Sequence, residues 1–316
     1  MAKRKPSQLN LLLAIDKPLG CTSHDVVARV RRSVCERRVG HAGTLDPLAT
    51  GVMIVGVGQA TRLLGMITLD EKSYIADISF GFETNTDDAE GEPTRVCTLD
   101  DALRDPEYAR SVLQGFLGSS EQVPPAFSAI SVDGVRAYKR ARSGDSVELP
   151  PRPIEVRAAE LIAICTPDDD GARDGVVWTV AFTVSKGTYI RALARDIGRA
   201  CGSAAHVSAL RRTASGGIGI GSCGSLEDLD PRSALECALD PLDVLGLRPV
   251  ALSDAELSDV LLGRRIALPA HLIGCEGERV GLVHGSQLRA LARADAAGLV
   301  MEQVYPQGIE GVRTCR

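Results

Sequence analysis

The stretch EKSYIADISFGF, residues 71–82, constrains the fold most. Tyr74, Ala76, Ile78 and Phe80 fall on one side, and Ile75, Asp77 and Ser79 on the other. Period-two alternation of this kind predicts a half-buried strand, with Tyr74 near its beginning. A second run, VVWTVAFTV, reads as another strand and leads through Ser185, Lys186 and Gly187 into TYIRALARDIGRACG. There Ile190, Leu193, Ala194 and Ile197 form a helical stripe that ends in glycine. Upstream, CTSHDVVARVRRSV predicts an amphipathic helix: Val26, Val27, Val30 and Val34 recur at helical spacing behind a Thr22–Asp25 capping box.

Strands and helices therefore mix without a regular βαβ rhythm. GVGQATR carries two of the three glycines of a dinucleotide fingerprint, but it lacks the third and a correctly placed acid, so a dehydrogenase is poorly supported. SLEDLDPRSALECALDPLDVLGLRP reads as a helical and turn-rich connection. Beyond it, VGLVHGSQLRALARADAAGLVMEQVY alternates like short strands around an ADAAG turn. The expected division is a domain over residues 1–247 and a small β-rich domain over 248–316. A chain of 316 residues is long enough for one large domain plus a small one.

The net charge of −5 does not suggest a nucleic-acid partner, yet the charges segregate. Basic clusters lie at Arg29–Arg38, Tyr138–Arg142, Arg211–Arg212 and Arg264–Arg265, and acids gather in TNTDDAEGE and PDDDGARD. One basic face on an acidic protein is one outcome; a set of unrelated solvated patches is the other. The nine cysteines contain no C-x-x-C pair, which argues against zinc and against a disulfide framework. No apolar run is long enough to span a membrane, and the apolar part of the N-terminus meets Asp16 and Lys17 too early for a signal peptide, so the expectation is a cytoplasmic protein.

RRVGHAGTLDPLATGVMIVGVGQATR places His41 and Asp46 among small residues, which let a backbone turn sharply and let another molecule approach. Read locally, Asp46 before Pro47 is a favourable N-cap for a helix over PLATGVMIVG, a purely structural use.

Together with DKPLGCTSHDVVARVRR, KSYIADISFGFETNTDDAEGE, QVPPAFSAISVDGVRAYKRAR, SKGTYIRALARDIG and AHVSALRRTASG, in that order, this stretch closely resembles the TruB family of pseudouridine synthases, the tRNA uridine-55 enzymes. The resemblance covers nearly the whole chain, and G-H-x-G-T-L-D-P is its most specific motif. Three departures stand out: Asn85 where the family often has Asp, Arg62 for a frequent Lys, and an SGGIGI segment poor in aromatics.

The resemblance implies an α+β fold with a mostly antiparallel mixed central sheet, flanking helices and a PUA-like RNA-binding domain at the C-terminus. It implies a cofactor-free, metal-free isomerase acting on the T-arm of tRNA, with no membrane or protein partner and a monomeric state. Asp46 is implied as nucleophile, Arg191 as its ion-pair partner, and Tyr74 as a stacking platform whose phenolic oxygen helps remove the C5 proton. His41 would fill the space left by a flipped nucleotide, Tyr189 and Leu210 would wall the pocket, and Lys17 and Lys72 would contact phosphates. The competing class is a non-catalytic tRNA-binding or folding factor, for which Asp46, Tyr74 and Arg191 would not be needed together.

Overall fold

A computed structural model describes residues 7–67, 71–128, 130–132, 135–136, 140, 149–166 and 175–313. The chain divides into two compact units, one of Met1–Pro47, Gly51–Thr68 and Gly217–Arg316, the other of Leu48–Thr50 and Leu69–Gly216.

The first unit opens with strand β1 (Leu11–Lys17), helix α1 (Ser23–Ser33), and strands β2 (Val39–Ala42) and β3 (Ala49–Val57). The expected capping box of α1 is present, with Thr22 and Asp25 each satisfying the other's backbone, and Val26, Val27 and Val30 are buried. β1 and β2 both pair antiparallel with β3. β3 corrects the expectation of a helix over PLATGVMIVG. Val52 to Val57 are buried along their whole length, so no polar face interrupts the run and its period cannot distinguish a helix from a doubly covered strand. The β-branched Val52, Ile54, Val55 and Val57 decide for the strand. Asp46 thus precedes no helix, and its reading as an N-cap lapses.

Gly58, a glycine of the discounted fingerprint, has φ +61°, and a Cβ there would collide with the Leu9 carbonyl and the Asn10 side chain. Its job is this close backbone approach.

The second unit is built on β4 (Glu71–Phe80), the strand expected from EKSYIADISFGF. A hairpin of β5 (Phe82–Thr84) and β6 (Pro93–Val96) follows, then helix α2 (Pro106–Gln114), strand β7 (Gly118–Gln122) and the short pair β8 (Ser131–Val132) and β9 (Val135–Arg136). β10 (Arg152–Cys165), β11 (Val177–Ser185), helix α3 (Ile190–Ala200) and β12 (Ala205–Ser215) complete it. The order is β12-β4-β11-β10-β7, antiparallel throughout. The buried Trp178 packs against Phe80 in a tilted ring contact, 4.6 Å between centroids, and donates its indole N–H to the Leu103 carbonyl at 2.8 Å. α3 lies so close to the start of β12 that a Cβ on Gly198 would sit 2.6 Å from the Ala205 nitrogen.

The chain then returns to the first unit through β13 (Ile218–Gly219), α4 (Pro231–Glu236) and α5 (Pro241–Leu245). Asp230 and Asp240 cap these helices ahead of proline, the helical connection foreseen. A four-stranded sheet ends the chain: β14 (Arg248–Ala251), β15 (Arg279–His284), β16 (Gln287–Asp295) and β17 (Gly298–Ile309), with helix α6 (Asp254–Leu261). The ADAAG turn joins β16 to β17, and the sheet has its own core of residues such as Val260, Leu272, Leu282 and Leu299.

β17 is fastened to the N-terminal part of its unit. Arg62 donates to the Val304 carbonyl at 2.7 Å and lies 5.0 Å over the Tyr305 ring, while Gln59 donates to Gln307 at 2.7 Å. That fastening accounts for one departure from the family pattern, Arg62. Asn85, another, accepts the Glu92 amide at 3.0 Å and closes the turn between β5 and β6. No described helix is long and apolar enough to cross a membrane.

Candidate active site

In the first unit, Asp46 sits half-buried in the loop between β2 and β3. The backbone is held on both sides of it. Ser23 Oγ donates to the Leu45 carbonyl at 2.9 Å and accepts the Leu45 amide at 2.9 Å. The Pro47 carbonyl accepts the Gly20 amide at 3.2 Å and Lys17 Nζ at 3.2 Å. A loop fixed at the residues before and after Asp46 leaves the backbone there little freedom to lose on binding.

Lys17, expected on a phosphate, has an exposure of 0%, and its ammonium also reaches the Pro18 carbonyl at 3.1 Å. An enclosed cation presents no surface to a polyanion, so Lys17 is corrected from RNA contact to loop anchor. His41 lies on β2, and its ring meets that of the exposed His24 on α1 edge-on, 5.7 Å between centroids. The sequence reading passed over both Ser23 and His24. Ser23 carries no signal beyond the helix start, whereas His24 is visible as the one other histidine of the N-terminal region besides His41. Arg29, Arg31, Arg32, Arg37 and Arg38 are all exposed, as a phosphate-facing surface requires.

In the second unit, the register brings Lys72, Tyr74 and Leu210 to one face of the sheet. Tyr74 is opposite Arg212, and Ala76 is opposite Leu210. Tyr74 and Leu210 are each 7% exposed. Burial, reinforced by the positive charge of Arg212, pushes the Lys72 ammonium down to about 8. Arg212 itself is fully buried, so it leaves the expected surface cluster; Arg211 bonds to Thr50 Oγ1 at 3.2 Å. In the Tyr138–Arg142 cluster only Arg140 is described, and the acidic loop at 168–170 lies outside the described residues.

Tyr189 is the N-cap residue of α3, and Gln122 clamps its backbone by accepting the Tyr189 amide at 2.9 Å and donating to its carbonyl at 3.1 Å. Arg191 opens the helix and is almost wholly buried. It donates to the Thr86 carbonyl at 2.7 Å and the Phe127 carbonyl at 3.1 Å, and its guanidinium lies 3.4 Å from the Asp88 carboxylate. Asp88 was missed because TNTDDAEGE looks like a solvated acidic run. The available signal was the spacing of Arg191, Arg195 and Arg199, which puts three guanidinium groups on one helical face in need of acids.

Residues 31–190 match the family described as "TruB family pseudouridylate synthase (N terminal domain)", and residues 191–245 match "tRNA pseudouridylate synthase B C-terminal domain". The chain is 44% identical over 263 residues to the tRNA pseudouridine synthase B of Mycobacteroides abscessus, covering 83% of this chain and 86% of that one. It is 42% identical over 291 residues to the protein of that name from Mycobacterium tuberculosis, covering 90% and 92%. Among solved structures, a Cbf5-Nop10-Gar1 complex aligns with a TM-score of 0.63 at 24% identity, over 96% of this chain and 86% of that one, which shows a shared fold. With both matched segments in sequence and the relatives covered nearly end to end, the chain belongs to the TruB family of pseudouridylate synthases.

Proposed function

We propose that this protein is a tRNA pseudouridine synthase that isomerises uridine 55 in the T-loop. The observation that carries this reading furthest is the loop of Asp46: a carboxylate that caps no helix is nevertheless held from Leu45 on one side and Pro47 on the other. The relatives' names supply the reaction. The N1–C1′ bond breaks, the base turns, a C5–C1′ bond forms, and the C5 hydrogen leaves to water while N1 gains one. Nothing is oxidised and no atom is added, so the chemistry asks for no cofactor. It asks for an ionised carboxylate beside the sugar and base, and that role goes to Asp46.

Arg191 is assigned to keep Asp46 ionised once RNA excludes water. Tyr74 is assigned to stack on the flipped base and assist loss of the C5 proton, His41 to occupy the vacated stack, and Leu210 and Tyr189 to wall the pocket. Lys72 is assigned to a phosphate, with the exposed arginines of α1 tracking the strand. The C-terminal sheet is assigned to RNA as a PUA-like module. A monomer acting in the cytoplasm completes the reading.

The test is release of a labelled C5 hydrogen from a T-arm stem-loop at saturating protein, comparing wild type with Asp46→Asn. Release by wild type and none by the variant, at equal binding, supports the assignment. Equal release from both overturns Asp46 as nucleophile, and none from either favours an RNA-binding factor.

A further inference from the structure

We infer that the Asp87–Arg195 ion pair is a positioning device for Arg191, setting the acceptors around that guanidinium and making the synthase step sensitive to mild acid. The inference rests on the synthase reading above and adds two residues to it.

The geometry is a ladder. Arg191, Arg195 and Arg199 follow one another at four-residue spacing along α3, and each meets an acid of β5 or of the segment that leaves it. Arg191 faces Asp88 at 3.4 Å, Arg195 binds Asp87 at 2.9 Å, and Arg199 binds Glu83 at 2.7 Å. The middle rung repeats the reach of the first. Arg191 spans from Thr86 to the Phe127 carbonyl; Arg195 spans from Asp87 to the Val123 carbonyl at 2.9 Å. Both arginines therefore tie the same two segments, 86–88 and 123–127, to one helix. Release of the Arg195 rung removes one tie from each of the two segments that hold Arg191.

Two costs mark the rung as more than a stabilising contact. Asp87 adopts φ +59°, a region that side-chain-bearing residues seldom occupy. Its carboxylate is also buried, and desolvation pushes it up to about 6 against the attraction of Arg195 and Arg191. The other charges facing it, Asp196 and Arg199, come from the same helix, and from β12 the Val207 amide donates to its carbonyl at 3.1 Å. A buried ion pair is weak evidence for stability. A raised carboxylate opposes folding above its folded midpoint, and this opposition fades as pH falls through about 6. The pair is thus formed at the protein's expense at neutral pH, and it dissolves when Asp87 takes a proton.

Asp87→Asn is the matched variant, since asparagine keeps the size, tolerates positive φ and lacks only the charge. Single-turnover label release and binding of a T-arm stem-loop are measured from about pH 5 to 8, with wild type, Asp87→Asn and Arg195→Gln. At the alkaline end Asp87→Asn should be slower on the order of tenfold, with unchanged RNA affinity. The ratio of wild type to variant should collapse toward one as pH falls through about 6. Arg195→Gln should likewise be slower at the alkaline end and lose the acid limb, because it removes the other half of the pair at every pH. Equal rates at the alkaline end, a ratio that ignores pH, or an acid limb retained in Arg195→Gln overturns the inference. If Asp87→Asn does not fold, the wild-type limb and its loss in Arg195→Gln decide alone. Absence of release by wild type at every pH overturns the synthase reading, and this inference with it.

Discussion

The loop of Asp46 and the ladder of α3 hold candidate catalytic charges by different physics. Around Asp46 the ties run to backbone groups, from a serine hydroxyl, a glycine amide and a buried lysine. Around Arg191 they include a series of ion pairs, with Asp88, Asp87 and Glu83 each facing an arginine. Serine hydroxyl and backbone amide donors do not titrate in the physiological range, whereas the buried Asp87 carboxylate, pushed up to about 6, does. The Ser23 ties are therefore indifferent to pH, and the Arg195 rung responds to it.

The sharpest way to break this contrast is Arg191→Met, which keeps bulk and removes charge. Asp88 would be left buried without its cation, at about 3–5 kcal/mol of stability. Turnover should fall by orders of magnitude, by label release alongside thermal melting, and near-normal turnover would refute the role of Arg191. Next is Ser23→Ala, which removes both bonds to Leu45 and should cost about 1–3 kcal/mol. Its activity deficit should be the same at every pH tested, in contrast to Asp87→Asn; a deficit that varies with pH would erase the distinction between the two holders. A smaller effect is expected from Arg62→Ala, which loses the bond to Val304 and the Tyr305 ring contact, about 1–2 kcal/mol by denaturant melting. The smallest concerns Lys72: if it meets a phosphate, wild-type affinity should decline as pH rises through about 8 and its ammonium discharges. Lys72→Gln should bind more weakly below that pH and show no decline across it, and parallel curves would remove Lys72 from the RNA contacts.

Much of the architecture was legible because burial on one face leaves a period. β4, β11, α1 and α3 all follow the alternation or helical stripe of their sequences. β3 was misread because burial on both faces erases that period. Candidate site residues could be proposed from sequence where the chemistry is local to a motif, as at Asp46 and the start of α3. It was not legible where charges were assumed to seek water. Lys17 and Arg212 look like surface cations in sequence and are enclosed, and the acids of TNTDDAEGE look like a solvated loop although they meet the arginines of α3. What a sequence cannot display is which long-range acceptor, such as the carbonyl of Pro47 or Thr86, waits for a cation.

The fastening of β17 to the first strands has a consequence for the order of synthesis. Gln59 pairs with Gln307 at a sequence separation of 248, and Arg62 with Val304 at 242. At 5–20 residues per second, roughly 10–50 s separate the appearance of the two partners at the ribosome. All of the second unit from Leu69 to Gly216 emerges in that interval. The ties of Gln59 and Arg62 to β17 therefore form only after β4 to β12 have been made, so the unit in which Asp46 resides is completed after the one that interrupts it in sequence.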